Sequence, residues 1–209
     1  MDPRKQIVRD AYDAIADKYL EWSQNSSVRA RYLARFVALL PARGAQVLEL
    51  GCGAGLPVTK ILADRASVTA ADISPVQVAF AIRNAPSAKI VCADMMTLDF
   101  QDASFDAVCA FYAITHLPRE EHGELFRRIA RWLRPGGNFL ASLGAFETND
   151  EDANWLGAPN FFSHYDAETN LKLLADAGFT IAEHETTPQD LNGEEGLRFL
   201  WVVARKPQP

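Results

Sequence analysis

The feature that most constrains this chain is an alternation. Short apolar runs, each about the length of one strand, are separated by stretches of helical periodicity. "QVLELG" reads as a buried strand and is followed by a helix from about Leu56 to Asp64. "SVTAAD" is a second strand. Ser74-Pro75 then opens a helix, with serine as cap and proline in the first turn. "AKIVCAD" and "FDAVCAFYAI" are the third and fourth strands. Arg119 to Arg134 reads as a helix with Leu125, Phe126, Ile129, Ala130 and Leu133 on one face. Its acidic residues come first and its basic ones last, and Glu124 is spaced to pair with Arg128. "RPGG" is a turn and "NFLASLG" a fifth strand. Strands that alternate with helices imply a mostly parallel sheet covered on both faces.

Both ends of the chain depart from that rhythm. Residues 1–40 are expected to be N-terminal cap helices. Pro3 to Trp22 carries apolar residues at helical spacing, and a second amphipathic stretch runs from Val28 to Leu40. Ala145 to Tyr165 is polar, aromatic and rich in turn formers, and reads as an irregular insertion. Asp166 then caps a helix that ends at Gly178. "FTIAEHET" and "LRFLWVVAR" finish the chain as two strands expected to pair antiparallel at one edge. The expected fold is therefore an α/β Rossmann-like, doubly wound, seven-stranded sheet with an antiparallel edge strand. Its 209 residues suit one domain.

Composition narrows the function. The net charge is −6, with no run of Lys and Arg, so nothing marks a nucleic-acid surface. No apolar segment has the length of a membrane span, and none follows the charged start as in a signal peptide. Cys52, Cys92 and Cys109 lie in strand-like contexts without metal-ligand spacing. A cytoplasmic protein with reduced thiols and no metal is the expectation, as a monomer or homodimer.

Sheets of this kind bind ligands at the carboxyl ends of their strands. After the first strand, Gly51, Gly53 and Gly55 form G-x-G-x-G. This is not a P-loop, because no Gly-Lys-Ser/Thr follows. The dinucleotide fingerprint needs its third glycine one position later, where Leu56 stands. Asp72 ends the second strand, where a carboxylate can accept both hydroxyls of a ribose, although it is also placed to cap the next helix. Asp94 and Met95 end the third strand. They suit an adenine, the carboxylate for its amino group and the thioether for its ring.

With these residues in order, the sequence resembles the class I S-adenosylmethionine-dependent methyltransferases that act on small molecules. The matching stretches are "VLELGCGAG", "VTAADIS", "VCADMMTLDF", "FDAVCAFYAITHL" and "WLRPGGNFLAS", from Val47 to Ser142. The resemblance implies S-adenosylmethionine as cofactor, S-adenosylhomocysteine as product and one methyltransferase domain over 1–209. Gly51, Gly53 and Gly55 would wrap the methionine end, with Glu49 orienting the loop or facing the amino group. Asp72 would bind the ribose, Ile73 would flank the adenine, and Asp94 and Met95 would complete that pocket. Phe111 and Tyr112 would border the methyl sulfonium, while Tyr12 and Tyr19 would close over the cofactor. Core packing is the competing reading for both tyrosines.

Methyl transfer from a sulfonium is an in-line displacement, so alignment and exclusion of water are the main demands. An oxygen or protonated nitrogen acceptor gains from a base. His116 is the first candidate and His164 the second, with a structural hydrogen bond the competing role for His116. The site after the fourth strand reads "FYAITHL". It lacks the Asn/Asp-Pro-Pro-Tyr/Phe motif of nucleic-acid amino methylases and the paired glutamates of protein-arginine enzymes. A small-molecule acceptor methylated on O or N is the expectation. Tyr112, His116, Trp155, Phe161, His164 and Tyr165 would form its pocket, within a substrate-side insertion over 145–165. The rivals are an NAD-dependent oxidoreductase on a similar sheet and a non-catalytic cofactor-binding domain.

Overall fold

The computed structural model describes residues 1–23, 25–188, 190 and 197–208. Its centre is a seven-stranded sheet in the order β3-β2-β1-β4-β5-β9-β8. The strands are β1 (Gln46–Leu50), β2 (Ser67–Asp72), β3 (Lys89–Cys92), β4 (Phe105–Ala110), β5 (Leu133–Gly144), β8 (Thr180–Pro188) and β9 (Arg198–Arg205). The chain enters at β1 in the middle, runs out to β3, and returns to β4 on the other side of β1. The carboxyl ends of β1 and β4 thus flank a topological switch point, where the crevice of an open sheet lies. All pairings from β3 to β5 are parallel. The antiparallel strand is β9, one place in from the edge, because it pairs antiparallel with both β5 and β8. Most of the link between β8 and β9 lies outside the described residues.

Alternation along the strands feeds two cores. Val47, Cys109, Leu140 and Trp201 point to one face, where Phe36 of α3 (Ser27–Ala38), Leu62 of α4 (Val58–Ala63) and Ala81 of α5 (Pro75–Asn84) cover them. Leu48, Val108, Phe139 and Val202 point to the other. There α6 (His122–Trp132) lays down Leu125, Phe126, Ile129 and Trp132, and α7 (Ala167–Asp176) adds Leu174. Ser74 and Asp166 cap α5 and α7, accepting from Gln77 N at 3.1 Å and Thr169 N at 2.9 Å.

Several local details differ from the sequence reading. Pro3 to Trp22 is two helices, α1 (Pro3–Ala14) and α2 (Ala16–Ser23), broken at Ile15. The helix expected over 119–134 ends at Trp132, and Leu133 already pairs with Phe105. The ladder resumes at Ala107 with Asn138, so "RPGG" bulges out of β5 rather than preceding it. Glu124 pairs with Arg127, not Arg128. The Arg128 guanidinium instead donates to the carbonyls of Met96 and Leu98. The largest difference is in 145–165, which forms a hairpin of β6 (Thr148–Trp155) and β7 (Ala158–His164), its register shifting between Asp152 and Trp155. β6 is exposed along most of its length, so it carries none of the apolar alternation by which a half-buried strand is recognised.

Candidate active site

The glycine loop is shaped by backbone bonds. Gly51 N and Cys52 N both donate to Ala71 O, at 2.8 and 3.0 Å, which turns the chain sharply at the end of β1. Gly51 has φ +74, and a Cβ there would stand 2.2 Å from Ala113 Cβ. Only glycine satisfies both the conformation and the space. Asp72 fastens the loop from β2: Oδ2 accepts from Gly53 N at 2.8 Å and Oδ1 from Ser74 N at 2.9 Å. Burial raises its pKa, and these N–H groups oppose that rise. Each oxygen has spent one acceptor position and keeps another. Holding the turn and receiving a ligand hydroxyl are therefore compatible roles.

Glu49 lies beneath the loop, 2% exposed, with Oε2 unpartnered. Burial pushes its carboxyl up to about 8. Such a group is protonated at neutral pH unless a cation arrives. A small cavity beside it is bordered by Arg29, Tyr19, Gly51 and Gly53.

Asp94 Oδ1 accepts from Met96 N at 2.9 Å, while Oδ2 pairs with Lys5 Nζ at 2.9 Å. Lys5 also reaches Glu121 at 2.5 Å and is itself buried. Burial alone would lower the ammonium pKa, but the pairs with Glu121 and Asp94 outweigh it and the net shift is upward. Sequence reasoning missed Lys5. Its signal was positional: Lys5, Val8 and Tyr12 share one face of α1, and all three line the same cavity. Ser74 Oγ donates to Asp13 Oδ1 at 2.5 Å, a further link from α1 to the strand ends. Lys5, Tyr12 and Asp13 thus tie α1 across the switch point as a cover. Beneath it is a cavity bordered by Gly51, Gly53, Asp72 and Asp94. Every residue expected around the cofactor lines it except Glu49, which lies under the loop, and Gly55, which packs on Ala81 of α5.

A second, roomier cavity of about 320 Å³ adjoins the first. Tyr12, Tyr19, Tyr112 and His116 border both. Trp22, Trp155, Phe162 and Phe199 supply most of its remaining aromatic wall. Of the expected pocket residues, Tyr112, His116, Trp155 and His164 line it, while Phe161 and Tyr165 do not. Strand geometry explains the first exclusion: neighbours in β7 face opposite sides, so Phe162 and His164 turn inward and Phe161 turns toward Arg4. Tyr165 stands edge-on to His122, with Arg119 over its ring. His164 fits because residue 144 is glycine: a Cβ there would lie 2.0 Å from its Nδ1. Tyr112 sits at φ +56, with its N–H held by Ser142 Oγ at 2.6 Å. This non-glycine residue in the left-handed region is backbone strain at the join between the cavities.

His116 is buried, and both ring nitrogens are engaged. Nδ1 lies 2.8 Å from Phe161 O, which can only accept, so Nδ1 carries the proton. Nε2 then accepts from the Tyr12 hydroxyl at 2.9 Å. Burial pushes the imidazole down to about 4, which keeps it neutral at physiological pH. Among the described residues, no group of three or more His, Cys, Asp or Glu side chains could hold a metal ion.

Residues 47–137 match the family model described as a methyltransferase domain. The chain is 33% identical over 166 residues to the 27-O-demethylrifamycin SV methyltransferase of Amycolatopsis mediterranei, covering 69% of this chain and 60% of that one. It is 35% identical over 211 residues to the biotin biosynthesis bifunctional protein BioCD of Bordetella avium, covering 95% of this chain and 43% of that one. The chain thus spans less than two thirds of the length of these curated relatives. Among solved structures, the Burkholderia thailandensis 1,6-didemethyltoxoflavin-N1-methyltransferase, with bound 1,6-didemethyltoxoflavin and S-adenosylhomocysteine, superimposes with a TM-score of 0.75. The identity is 24%, over 98% of this chain and 89% of that one. Residues 47–137 are a methyltransferase domain, and that is the family to which this part of the chain belongs.

Proposed function

We propose that the protein transfers a methyl group from S-adenosylmethionine to a small organic acceptor. The observation that carries this reading is the pair of cavities sharing Tyr12, Tyr19, Tyr112 and His116 as a common wall. One cavity lies at the strand ends and the other is aromatic, so two ligands would meet end to end at that wall.

The first cavity suits the cofactor. The remaining acceptor positions of Asp72 could receive a pair of hydroxyls, and Asp94 with Met95 suits an adenine edge and face. The unpartnered, buried Oε2 of Glu49 suits an ammonium group. S-adenosylmethionine, when bound, supplies a methyl group on a cationic sulfur. The rings of Tyr12, Tyr19 and Phe111 offer that cation π faces and keep water away.

The Tyr12–His116 pair revises the role expected for the histidine. Nε2 is occupied by the tyrosine hydroxyl, so His116 reaches an acceptor only through Tyr12. We read Tyr12 Oη as the atom that faces the acceptor, and neutral His116 as the residue that orients it by accepting its hydroxyl hydrogen bond. Tyr12→Phe is expected to lower kcat about tenfold or more and leave the dissociation constant for S-adenosylhomocysteine within about threefold. His116→Asn, tested across pH, should lower kcat without abolishing binding. Unchanged kcat in both variants would remove the pair from the mechanism.

The acidic chain and its lack of basic runs support a small-molecule acceptor over nucleic acid. The three free thiols support a reducing, cytoplasmic setting. No helix among the described residues is long and apolar enough to cross a membrane.

A further inference from the structure

The acceptor side has a charge pattern of its own. In the hairpin, Thr148 pairs with His164 and Asp150 with Phe162. Side chains opposite each other share a face, so Asp150 stands with Phe162 and His164 on the side turned to the second cavity. Asp152 continues the row by period two, and the two carboxylates form an acidic rim. Behind the rim, Trp22, Trp155, Tyr112, Phe162 and Phe199 present rings. Arg198 is the only guanidinium or ammonium side chain lining this cavity among the described residues, and its Nη2 donates to Thr186 O at 3.2 Å. His116 and His164 add no positive charge, since burial lowers the pKa of both.

Ring faces and carboxylates attract the same kind of ligand. A cation gains from the negative face of an aromatic ring, and carboxylates at the mouth raise its local concentration. An anionic acceptor would meet two carboxylates for one guanidinium. We propose that the second cavity takes a cationic acceptor: an organic amine or other positively charged nitrogen compound with a flat or apolar body, its charge seated between the aromatic wall and Asp150 and Asp152. This rests on the reading of the first cavity as the methyl-donor site, and it assigns the acceptor class that this reading leaves open.

The test uses three probes with one ring system and different charge: tryptamine, tryptophol and indole-3-propionate. Each is titrated calorimetrically into the full-length protein saturated with S-adenosylhomocysteine. Tryptamine is expected to bind about tenfold or more tighter than indole-3-propionate, with tryptophol between them. That preference should shrink as salt rises, because the rim is exposed. In the Asp150→Asn/Asp152→Asn variant it should fall severalfold, with the affinity for S-adenosylhomocysteine unchanged. Equal or tighter binding of the propionate, no binding of any probe, or a preference that survives in the variant would overturn the proposal. If S-adenosylhomocysteine does not bind, the methyl-donor reading fails instead, and the same probe series on the free protein still reads the charge preference of the cavity.

Discussion

The two cavities meet at one wall but are built from different material. The floor of the first, at the strand ends, is main chain and carboxylates held by main chain. Gly51 and Cys52 share one carbonyl, and Asp72 bridges two backbone N–H groups. These atoms sit at the ends of strands whose registers are fixed by the sheet. The second is made of side chains from α1, α2, the segment after β4, a two-stranded ribbon and the start of β9. Its rings pack on one another: Trp155 lies 5.6–5.8 Å from Tyr12, Tyr19, Trp22 and Phe162. A backbone-built site tolerates few residue types, whereas a side-chain wall can be rebuilt ring by ring while the sheet behind it stays the same.

That contrast can be broken by substitutions on either side. The largest effect is expected from Gly51→Ala. The added methyl meets Ala113 Cβ at 2.2 Å, and the residue must hold φ +74. Overpacking and strain together should remove about 3 kcal/mol of stability and most cofactor binding. Adding Ala113→Gly removes the clash but not the strain, so thermal melts should show partial recovery. Full recovery would mean that the loop tolerates a side chain, and the main-chain account of the first cavity would be wrong.

A smaller effect is expected from Trp155→Ala. Truncating this ring should raise the acceptor KM about tenfold and leave the affinity for S-adenosylhomocysteine within about threefold. An equal loss on both sides would show that the shared wall behaves as one unit rather than two.

The smallest effect is a proton count. At about 8, the carboxyl of Glu49 is protonated at pH 7 in the free protein. An ammonium group near Oε2 favours the ionised form, so cofactor binding at pH 7 should release up to about one proton, and less as pH rises past 8. Calorimetry in buffers of different ionisation enthalpy reads this directly, and Glu49→Gln should abolish it. The same shift has a stability consequence. The folded pKa is raised, so the contribution is present in acid and is lost as pH climbs from about 4.5 toward 8. Binding that takes up or releases no proton would place the amino group elsewhere.

What was legible in the sequence follows the same division. The strands of the parallel half, the cap residues Ser74 and Asp166, and the clustering of Gly51, Asp72 and Asp94 at one crevice were all readable. In each case a backbone requirement selects particular residue types at fixed spacing. The acceptor side left only composition. The aromatics of 145–165 were visible, but which of Phe161 and Phe162 faces the cavity depends on the phase of a strand whose partner shows no alternation. Lys5 read as a charge on a surface helix, and its burial depends on Asp94 and Glu121, 89 and 116 positions away. His116 was visible at a strand end, whereas its bond to Tyr12 is a tertiary contact across 104 residues.

The central claim is that the first cavity is a methyl-donor site and not a dinucleotide site. Calorimetric titration of the intact protein with S-adenosylhomocysteine and with NAD, repeated on Asp72→Ala, tests it most directly. The account predicts one-to-one binding of S-adenosylhomocysteine, weakened about tenfold or more by the substitution, and no binding of NAD. Binding of NAD alone, or an S-adenosylhomocysteine affinity indifferent to Asp72, would contradict it.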